Sequence, residues 1–404
     1  MSPVKPVKIV LLTPLPPAAT GIADYSALLV RELSLRAPEM AIETLSTREQ
    51  AESFRPPREP HVLLYQVGNS PHHDFLYSSI FQNPGVLVLH DLVLHHARLF
   101  SHLESPEVRA YREDIGDSSK REKAKIRLEQ YRSEAREAYP AVGDDLAEIA
   151  LGIGGGRLLY AYPLYEHLVR RSRLTLVHSE TARDEVLSSC PGADVKRVRM
   201  GVPLPALVPR DEARRRLGLP LDELILASFG LVTPEKRIST SIRALARLKA
   251  AGVRATYFLV GSPVAHYDPL REARELGVAG NLRLVGRVPE EEFRLYAFAS
   301  DLCLNLRYPS AGETSATLLG LLACGRPVVV TDQIDVRDLP DGVVARSPLE
   351  GDEDGLYCDL MDLIRVERRR RELGEAARRY AKSEASPEIM AKDYLAVLEA
   401  VAGL

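Results

Sequence analysis

Leu302-Cys303-Leu304-Asn305-Leu306 is followed by Arg307-Tyr308-Pro309-Ser310-Ala311-Gly312-Glu313-Thr314-Ser315-Ala316-Thr317, then by LLGLLA at 318–323 and PVVVT at 327–331. A short apolar β-rich run, a loop of small and hydroxylated residues, a helical run and a second β-rich run make a strand–loop–helix–strand unit. Such alternation repeats along the chain, which implies parallel sheets covered by helices. Upstream of it, strand-like runs fall at 224–229, 256–260 and 282–285. An earlier series begins at 7–13 (VKIVLLT), stops at Pro14 and leads into a helical pattern at 22–35, with further runs at 61–67, 86–90 and 174–178. Between the two series, residues 203–209 hold three prolines, the composition of a short stiff linker.

The 404 residues suit two α/β domains of roughly two hundred residues each. The expected division is 1–204, 205–385 and a terminal helix at 386–404, with Ser386-Pro387 as its N-cap and first turn. Lys and Arg number 53 against 56 Asp and Glu, a net charge of -3, so no excess of cations points to nucleic acid. Cys190, Cys303, Cys324 and Cys358 lie far apart without a C-x-x-C and read as free thiols of a reducing cytoplasm. Neither a signal sequence nor an apolar stretch of about 18 residues is present, so a cytoplasmic protein is expected. Residues 105–139 form a charged helical stretch with Lys120, Arg121, Lys123, Lys125 and Arg127 in its middle. It reads as a solvated helix face, with peripheral contact to anionic lipid at the inner face of the membrane as the second reading.

Candidate chemistry sits where strands run into loops. Gly21 closes the first loop, PPAATG, where backbone N–H groups and a helix N-terminus could take an anion or a sugar hydroxyl; the plainer reading is a turn that needs glycine for its φ value. No G-x-G-x-x-G follows a strand, which weighs against a nicotinamide-dependent dehydrogenase. The run 152–156 (GIGGG) follows a helical pattern and reads as a helix break. His72-His73-Asp74, His90-Asp91 and His95-His96 invite a metal reading, with Asp91 and His95 on one helix face, but no recognised ligand spacing occurs. His90 is a site candidate because it closes a strand. In Phe229-Gly230-Leu231-Val232-Thr233-Pro234-Glu235-Lys236-Arg237, Lys236 stands near the sheet's mouth, where a cation neutralises a diphosphate. In the 307–317 loop, amides can bind phosphate while Glu313 accepts hydrogen bonds from sugar hydroxyls, or Thr314 or Ser315 simply caps the helix.

Taken in order, PLPPAATGIADYS (14–26), VLHDLVLHH (88–96), LVHSETARDEV (176–186), VRMGVP (198–203), FGLVTPEKR (229–237), VGRVPEEEFRLYAFASDLCLNL (285–306) and GETSATLLGLLACGRPVVVTD (312–332) resemble glycosyltransferase family 4, in a subgroup with a G-E-T-S loop. The resemblance spans almost the whole chain. It implies the GT-B fold, two Rossmann-like domains facing a cleft, the first binding the acceptor and the second the sugar nucleotide, with the terminal helix packing back on the first. It implies a retaining hexose transfer from a UDP- or GDP-linked sugar to a glycan, lipid-linked or small-molecule hydroxyl, with neither metal nor cofactor, in polysaccharide biosynthesis.

The resemblance also assigns roles. Gly21 and His90 face the donor sugar; Gly230 and Lys236 meet the diphosphate; Arg287 and Val288 meet the base; Gly312, Glu313, Thr314, Ser315 and Ala316 form the phosphate and sugar loop. His90, Glu313 and Lys236 are the catalytic candidates. The sequence departs from the family in three places: Leu231 replaces a common Arg, the first loop has one glycine where a pair is common, and the E-x7-E glutamates fall on Gly312 and Gly320, so that Glu313 serves by a one-residue shift. Those departures keep open a non-catalytic sugar-nucleotide binder, and the fold class keeps open a nucleotide-sugar epimerase or a phosphorylase.

Overall fold

A computed structural model describes residues 8–113, 118–153, 156–265, 267–349 and 352–403. Its contacts divide the chain into two units. One comprises residues up to Arg199 with Ala311–Thr314 and Met390–Leu404; the other comprises Met200–Ser310 and Ser315–Ile389. In this division the tetrapeptide 311–314 falls with the first unit.

The first unit holds β1 (Lys8–Leu12), β2 (Ile42–Leu45), β3 (His61–Val67), β4 (Val86–Leu89), β5 (Leu174–Val177) and β6 (Val195–Arg197) in the order β2-β1-β3-β4-β5-β6. All neighbours are parallel, Lys8 opposite His61 and Leu64 opposite Val86. The order reverses between β1 and β3, and open α/β sheets bind ligands in the crevice at such a point, outside the strands' carboxyl ends. β3 and β4 are buried almost throughout, as strands covered on both faces must be. Helices between β4 and β5 form a separate apolar cluster around Leu99, Tyr131, Ala147 and Leu159.

The charged stretch of this insertion becomes two helices, Pro106–Arg112 and Ser118–Ala138, the second with Ala124, Tyr131, Ala135 and Ala138 buried at helical spacing. The expected break at 152–156 falls partly outside the described residues: a helix runs Gly143–Ile153 and Gly156 has φ +48°, while Gly154 and Gly155 are not described.

The second unit holds β7 (Leu224–Phe229), β8 (Ala255–Val260), β9 (Leu282–Leu284), β10 (Leu302–Asn305), β11 (Val328–Thr331) and β12 (Ala345–Ser347) in the order β12-β11-β10-β7-β8-β9, again all parallel. Its reversal lies between β7 and β10, so the loops after these two strands face the crevice. Arg214 is wholly buried here, its guanidinium donating to the carbonyls of Ala299, Pro220, Leu221 and Glu223 and to Asp301 Oδ2 at 2.6 Å. A buried cation persists because its donors are used.

The terminal helix, Pro387–Ala402, is capped as its sequence predicts, the Ile389 N–H donating to Ser386 Oγ at 3.3 Å. Its residues 390–403 lie in the first unit, where Asp393 takes a bidentate bond from Arg199 at 2.7 and 2.8 Å. Residues 201–209 carry no helix or strand, and Cys190, Cys303, Cys324 and Cys358 are free. No described helix is long and apolar enough to cross a membrane.

Gly320 is interior to the helix Ala316–Ala323, and a methyl placed on it meets nothing within 4 Å. Glycine costs a helix interior about 1 kcal/mol relative to alanine. Gly320→Ala is therefore expected to raise the stability of the protein by about that amount in urea unfolding.

Candidate functional site

Three loops converge at the reversal of the second sheet. After β7 the chain turns through Gly230 at φ +79°, then through a 3-10 turn, Pro234–Lys236, into Arg237 at φ +50°. This course folds Lys236 back so that Nζ donates to the Phe229 carbonyl at 2.6 Å, at the carboxyl end of β7. A methyl on Gly230 would lie 2.9 Å from Lys236 Nζ and 3.7 Å from Thr317 Oγ1. Bare backbone thus separates a cation from a hydroxyl. After β8, Gly261 passes so close that its methyl would lie 2.0 Å from the Gly230 carbonyl oxygen, which fixes the turn from behind.

The loop after β10 completes this crevice. Tyr308 N–H donates to the Glu235 carbonyl at 2.6 Å, and Arg307 N–H to Thr331 Oγ1 at 3.1 Å. Arg237, almost fully buried, donates through Nη1 to the same hydroxyl at 3.0 Å. Ser315 caps the helix Ala316–Ala323, accepting from Leu318 N–H at 3.2 Å. Ala316 and Thr317 therefore occupy its first turn, where free amides favour an anion.

The G-E-T-S segment is divided: Ser315 and Ala316 lie in the second unit, and Gly312, Glu313 and Thr314 in the first. There Leu92 N–H donates to the Ala311 carbonyl at 2.7 Å, and Glu313 Oε2 accepts from Ala311 N–H at 3.0 Å. Gly312 has φ +69° and a methyl on it would lie 2.7 Å from Leu92 Cδ1. No glutamate fits that position, which gives the one-residue shift to Glu313 a steric reason. Gly312→Ala is expected to destabilise the protein by about 1–2 kcal/mol, read by urea unfolding, because backbone strain adds to the overlap.

At the reversal of the first sheet, Gly21 opens the helix Gly21–Arg36, capped by Thr20. Its φ is not positive and a methyl on it meets nothing within 4 Å. The expectation that the turn needs glycine for its φ is thus incorrect; the position faces open space. Gly68 is the tight one, its methyl falling 2.1 Å from Ile22 Cδ1 and 2.9 Å from Asp91 Oδ2. Asp91 Oδ2 accepts from Asn69 N–H at 2.6 Å, and Asn69 Oδ1 in turn accepts from Ala97 N–H at 2.9 Å. Asp91 precedes the helix His95–Leu103, so it shares no helix face with His95, contrary to the sequence reading.

His90 stands just beyond β4 with its ring turned inward, 6% exposed. Its Nε2 lies 2.5 Å from Gln66 Oε1 and its Nδ1 3.2 Å from His178 Nε2, with the Tyr25 ring edge-on at 5.0 Å. Burial holds both imidazoles neutral, with His178 lowered to about 4 and His90 well below the usual histidine value, the second imidazole adding to the effect at His90. His73 Nδ1 donates to the Gln66 carbonyl at 2.9 Å and Asp74 pairs with Arg98 at 2.7 Å, so these two residues of the histidine-rich motif face different partners. Among the described residues no three His, Cys, Asp or Glu side chains are grouped to hold a metal ion.

Of the sequence candidates, the structure groups Gly230, Lys236, Ser315 and Ala316 in the second unit, and Gly312, Glu313 and Thr314 with the loop after β4. Exposed Arg287 and half-buried Val288 follow β9, an edge strand two places from β7, beside Gly286 at φ +83°. Sequence reasoning missed Thr317, Arg237, Gln66 and His178. His178 alone had a signal, since it closes β5 as His90 closes β4.

Comparison with known proteins places this geometry. Residues 209–379 match the family described as glycosyl transferases group 1. The chain is 32% identical over 237 residues to a D-inositol 3-phosphate glycosyltransferase of Thermomonospora curvata, covering 52% of this chain and 53% of that one. It is 30% identical over 230 residues to the protein of that description in Mycobacterium tuberculosis strain F11, covering 54% of this chain and 46% of that one. The chain thus spans about half the length of the curated relatives it matches. Among solved structures it resembles sucrose-phosphate synthase from Thermosynechococcus elongatus, with TM-score 0.66 and 16% identity over 98% of this chain and 99% of that one. It also resembles Anabaena HepE in complex with UDP-glucose, with TM-score 0.61 and 13% identity over 97% and 99%. WaaG, a glycosyltransferase involved in lipopolysaccharide biosynthesis, gives TM-score 0.57 and 14% identity over 98% and 100%. With its two six-stranded parallel sheets, the protein has the GT-B fold.

Proposed function

We propose that the protein is a retaining glycosyltransferase of family 4, in a subgroup with a G-E-T-S loop, moving a hexose from a UDP- or GDP-linked sugar to an acceptor hydroxyl. The observation that carries this reading is the crevice of the second unit, where Lys236 Nζ and Thr317 Oγ1 flank the bare backbone of Gly230 at the start of a helix. That arrangement suits a diphosphate: a fixed cation, a hydroxyl and free amides, with no side chain in between. The second unit is then the donor domain, and the first, with its helical insertion, the acceptor domain.

In the reaction, the bond from the anomeric carbon to the diphosphate oxygen breaks and a bond to the acceptor oxygen forms on the same face. The acceptor's proton passes to the departing diphosphate. Negative charge grows on the leaving group, where Lys236, Thr317 and the amides at Ser315 and Ala316 stabilise it without a metal. Glu313 orients sugar hydroxyls, the open space at Gly21 admits the sugar and phosphate, and Arg287 and Val288 line the base. The His90 ring reaches a sugar hydroxyl only by leaving Gln66, so His90 acts chiefly by fixing the end of β4. The acceptor is a glycan, a lipid-linked saccharide or a small molecule, in polysaccharide biosynthesis. The location in this reading is cytoplasmic; the basic residues of the helix Ser118–Ala138 form a solvated face, with contact to anionic lipid at the inner face of the membrane as the second reading.

A panel of UDP and GDP hexoses tests this. At least one should raise the unfolding temperature and be consumed in the presence of a glycan or lipid-linked acceptor. NAD stabilising the protein while every sugar nucleotide fails to do so refutes the donor reading. Leu231, 55% exposed where many family members carry Arg, favours one second reading, a non-catalytic binder. Binding without turnover for any donor and acceptor would establish it.

A further inference from the structure

Arg237 carries two costs that the turn around it does not require. It stands at φ +50°, a left-handed conformation that is strained for an L residue with a side chain and free for glycine. It is also 6% exposed, so its guanidinium is taken out of water. A glycine would make the same turn, from the 3-10 segment Pro234–Lys236 into the helix Ile238–Ala250, without either cost. Strain of this kind persists where the surrounding structure holds it, and it collects at functional sites. What the side chain gains is a contact with a distant strand. Arg237 Nη1 donates to Thr331 Oγ1 at 3.0 Å, at the carboxyl end of β11, and the same oxygen accepts from Arg307 N–H at 3.1 Å on the loop after β10. Two donors on one hydroxyl oxygen use both of its lone pairs. Gln333 Nε2 holds the other side of Arg307, donating to its carbonyl at 2.7 Å. One residue further on, Tyr308 N–H donates to the Glu235 carbonyl at 2.6 Å. Lys236 thus lies between Glu235 and Arg237, and each of these is tied to the loop after β10, one directly and one through Thr331.

We propose that Arg237 is a positioning residue for Lys236: anchored on Thr331, it holds the Lys236 turn against the loop after β10 and so keeps Nζ at the Phe229 carbonyl. Its consequence for transfer rests on reading the Gly230 crevice as the diphosphate site. Arg237 touches no reacting atom in this scheme. It acts through the place it gives to Lys236, and a misplacement of about 1 Å is enough to cost a reaction about 10²-fold.

Acetylation of Lys236 by acetic anhydride in the full chain, followed by peptide mass spectrometry, reads this position without any substrate. Donation to a carbonyl favours the ammonium form, which does not react, so loss of that contact speeds acetylation. Thr331→Val keeps the shape of Thr331, leaves the sequence of the turn intact and removes the anchor. It should raise the rate of Lys236 labelling by about fivefold, the worth of one ordinary hydrogen bond. Thr331→Ser retains the hydroxyl and should label as the unsubstituted protein does. Arg237→Gly removes the other end of the contact, and combining it with Thr331→Val should add nothing, since both break one interaction. Unchanged labelling in Thr331→Val overturns the proposal, as do effects of the two variants that simply add. If Thr331→Val fails to fold, Arg237→Asn decides. Asparagine accepts the left-handed conformation but is too short to reach Thr331, so labelling should rise, and an unchanged rate refutes the strut. On any sugar nucleotide that the unsubstituted protein consumes, Thr331→Val should lower kcat by about tenfold or more with little change in KM. Raised labelling with an unchanged kcat overturns the part of Arg237 in transfer. Where no sugar nucleotide is consumed, the diphosphate reading itself fails, and labelling still decides what holds Lys236.

Discussion

Replacing Lys236 by alanine is expected to lower the rate of sugar transfer by about 10²-fold or more, the usual cost of one electrostatic contact to a group that gains charge in the transition state. Lys236 Nζ donates to the Phe229 carbonyl and lies beside the open face of Gly230. The position is half-buried, so the fold should survive the truncation. Steady-state kinetics with circular dichroism as a folding control would check it. A fall in kcat with little change in KM places the contact in the transition state; a rise in KM alone makes it ground-state binding. Lys236→Arg should not restore the rate fully, since a planar fork does not occupy the space of a point charge beside bare backbone. Transfer at the unsubstituted rate in the alanine variant would remove Lys236 from the site.

The second large effect is acid unfolding above the carboxylate range. Burial lowers His73, His95 and His178 each to about 4, opposed in part by hydrogen bonds to backbone carbonyls, and His90 is held well below its ordinary value. The unfolded chain binds these protons from about pH 6.5 downward while the folded chain refuses them. Their stabilisation is therefore complete above that pH and is lost as pH falls toward 4. Each of the three lowered to about 4 accounts for on the order of 3 kcal/mol, and these three together give a slope of roughly 3–4 kcal/mol per pH unit between pH 6 and 4.5, to which His90 adds in the same direction. Such a loss is comparable with the whole stability of an ordinary domain. Urea titrations at stepped pH would measure it. A flat profile from pH 7 to 5 would mean that these rings are not held neutral. Below that window Glu134 adds a further loss: although its burial raises its pKa, Arg98, His102 and His167 hold it well below the usual carboxylate range.

Both effects depend on residues whose positions the sequence announced and whose partners it did not. Lys236 follows an apolar run and precedes a helix, so its place at a sheet's mouth was readable. That a left-handed Arg237 folds it back over Phe229 was not, because a positive φ at arginine has no sequence signature. His90 was readable as a strand's last residue. The direction of its ring was not, since that depends on Gln66 on β3 and His178 just beyond β5. The missed strands β2, β6 and β12 are short edge strands carrying Glu43, Thr44, Lys196, Arg197 and Arg346 on half-exposed surfaces, where no apolar run is required.

By itself the sequence determined the two parallel α/β layers, the start of the terminal helix and the loops that carry chemistry. Strand and helix periodicity, prolines and caps are local properties, written within a few residues. Only the tertiary structure decided that Gly312 admits no side chain, that Gly21 is free of any φ requirement, and that the G-E-T-S segment is shared between two units. It also decided that the His90 ring is turned inward between Gln66 and His178. The physical reason is common to all four: each depends on what approaches from a distant part of the chain, and close approach is a property of packing that local residue patterns do not encode.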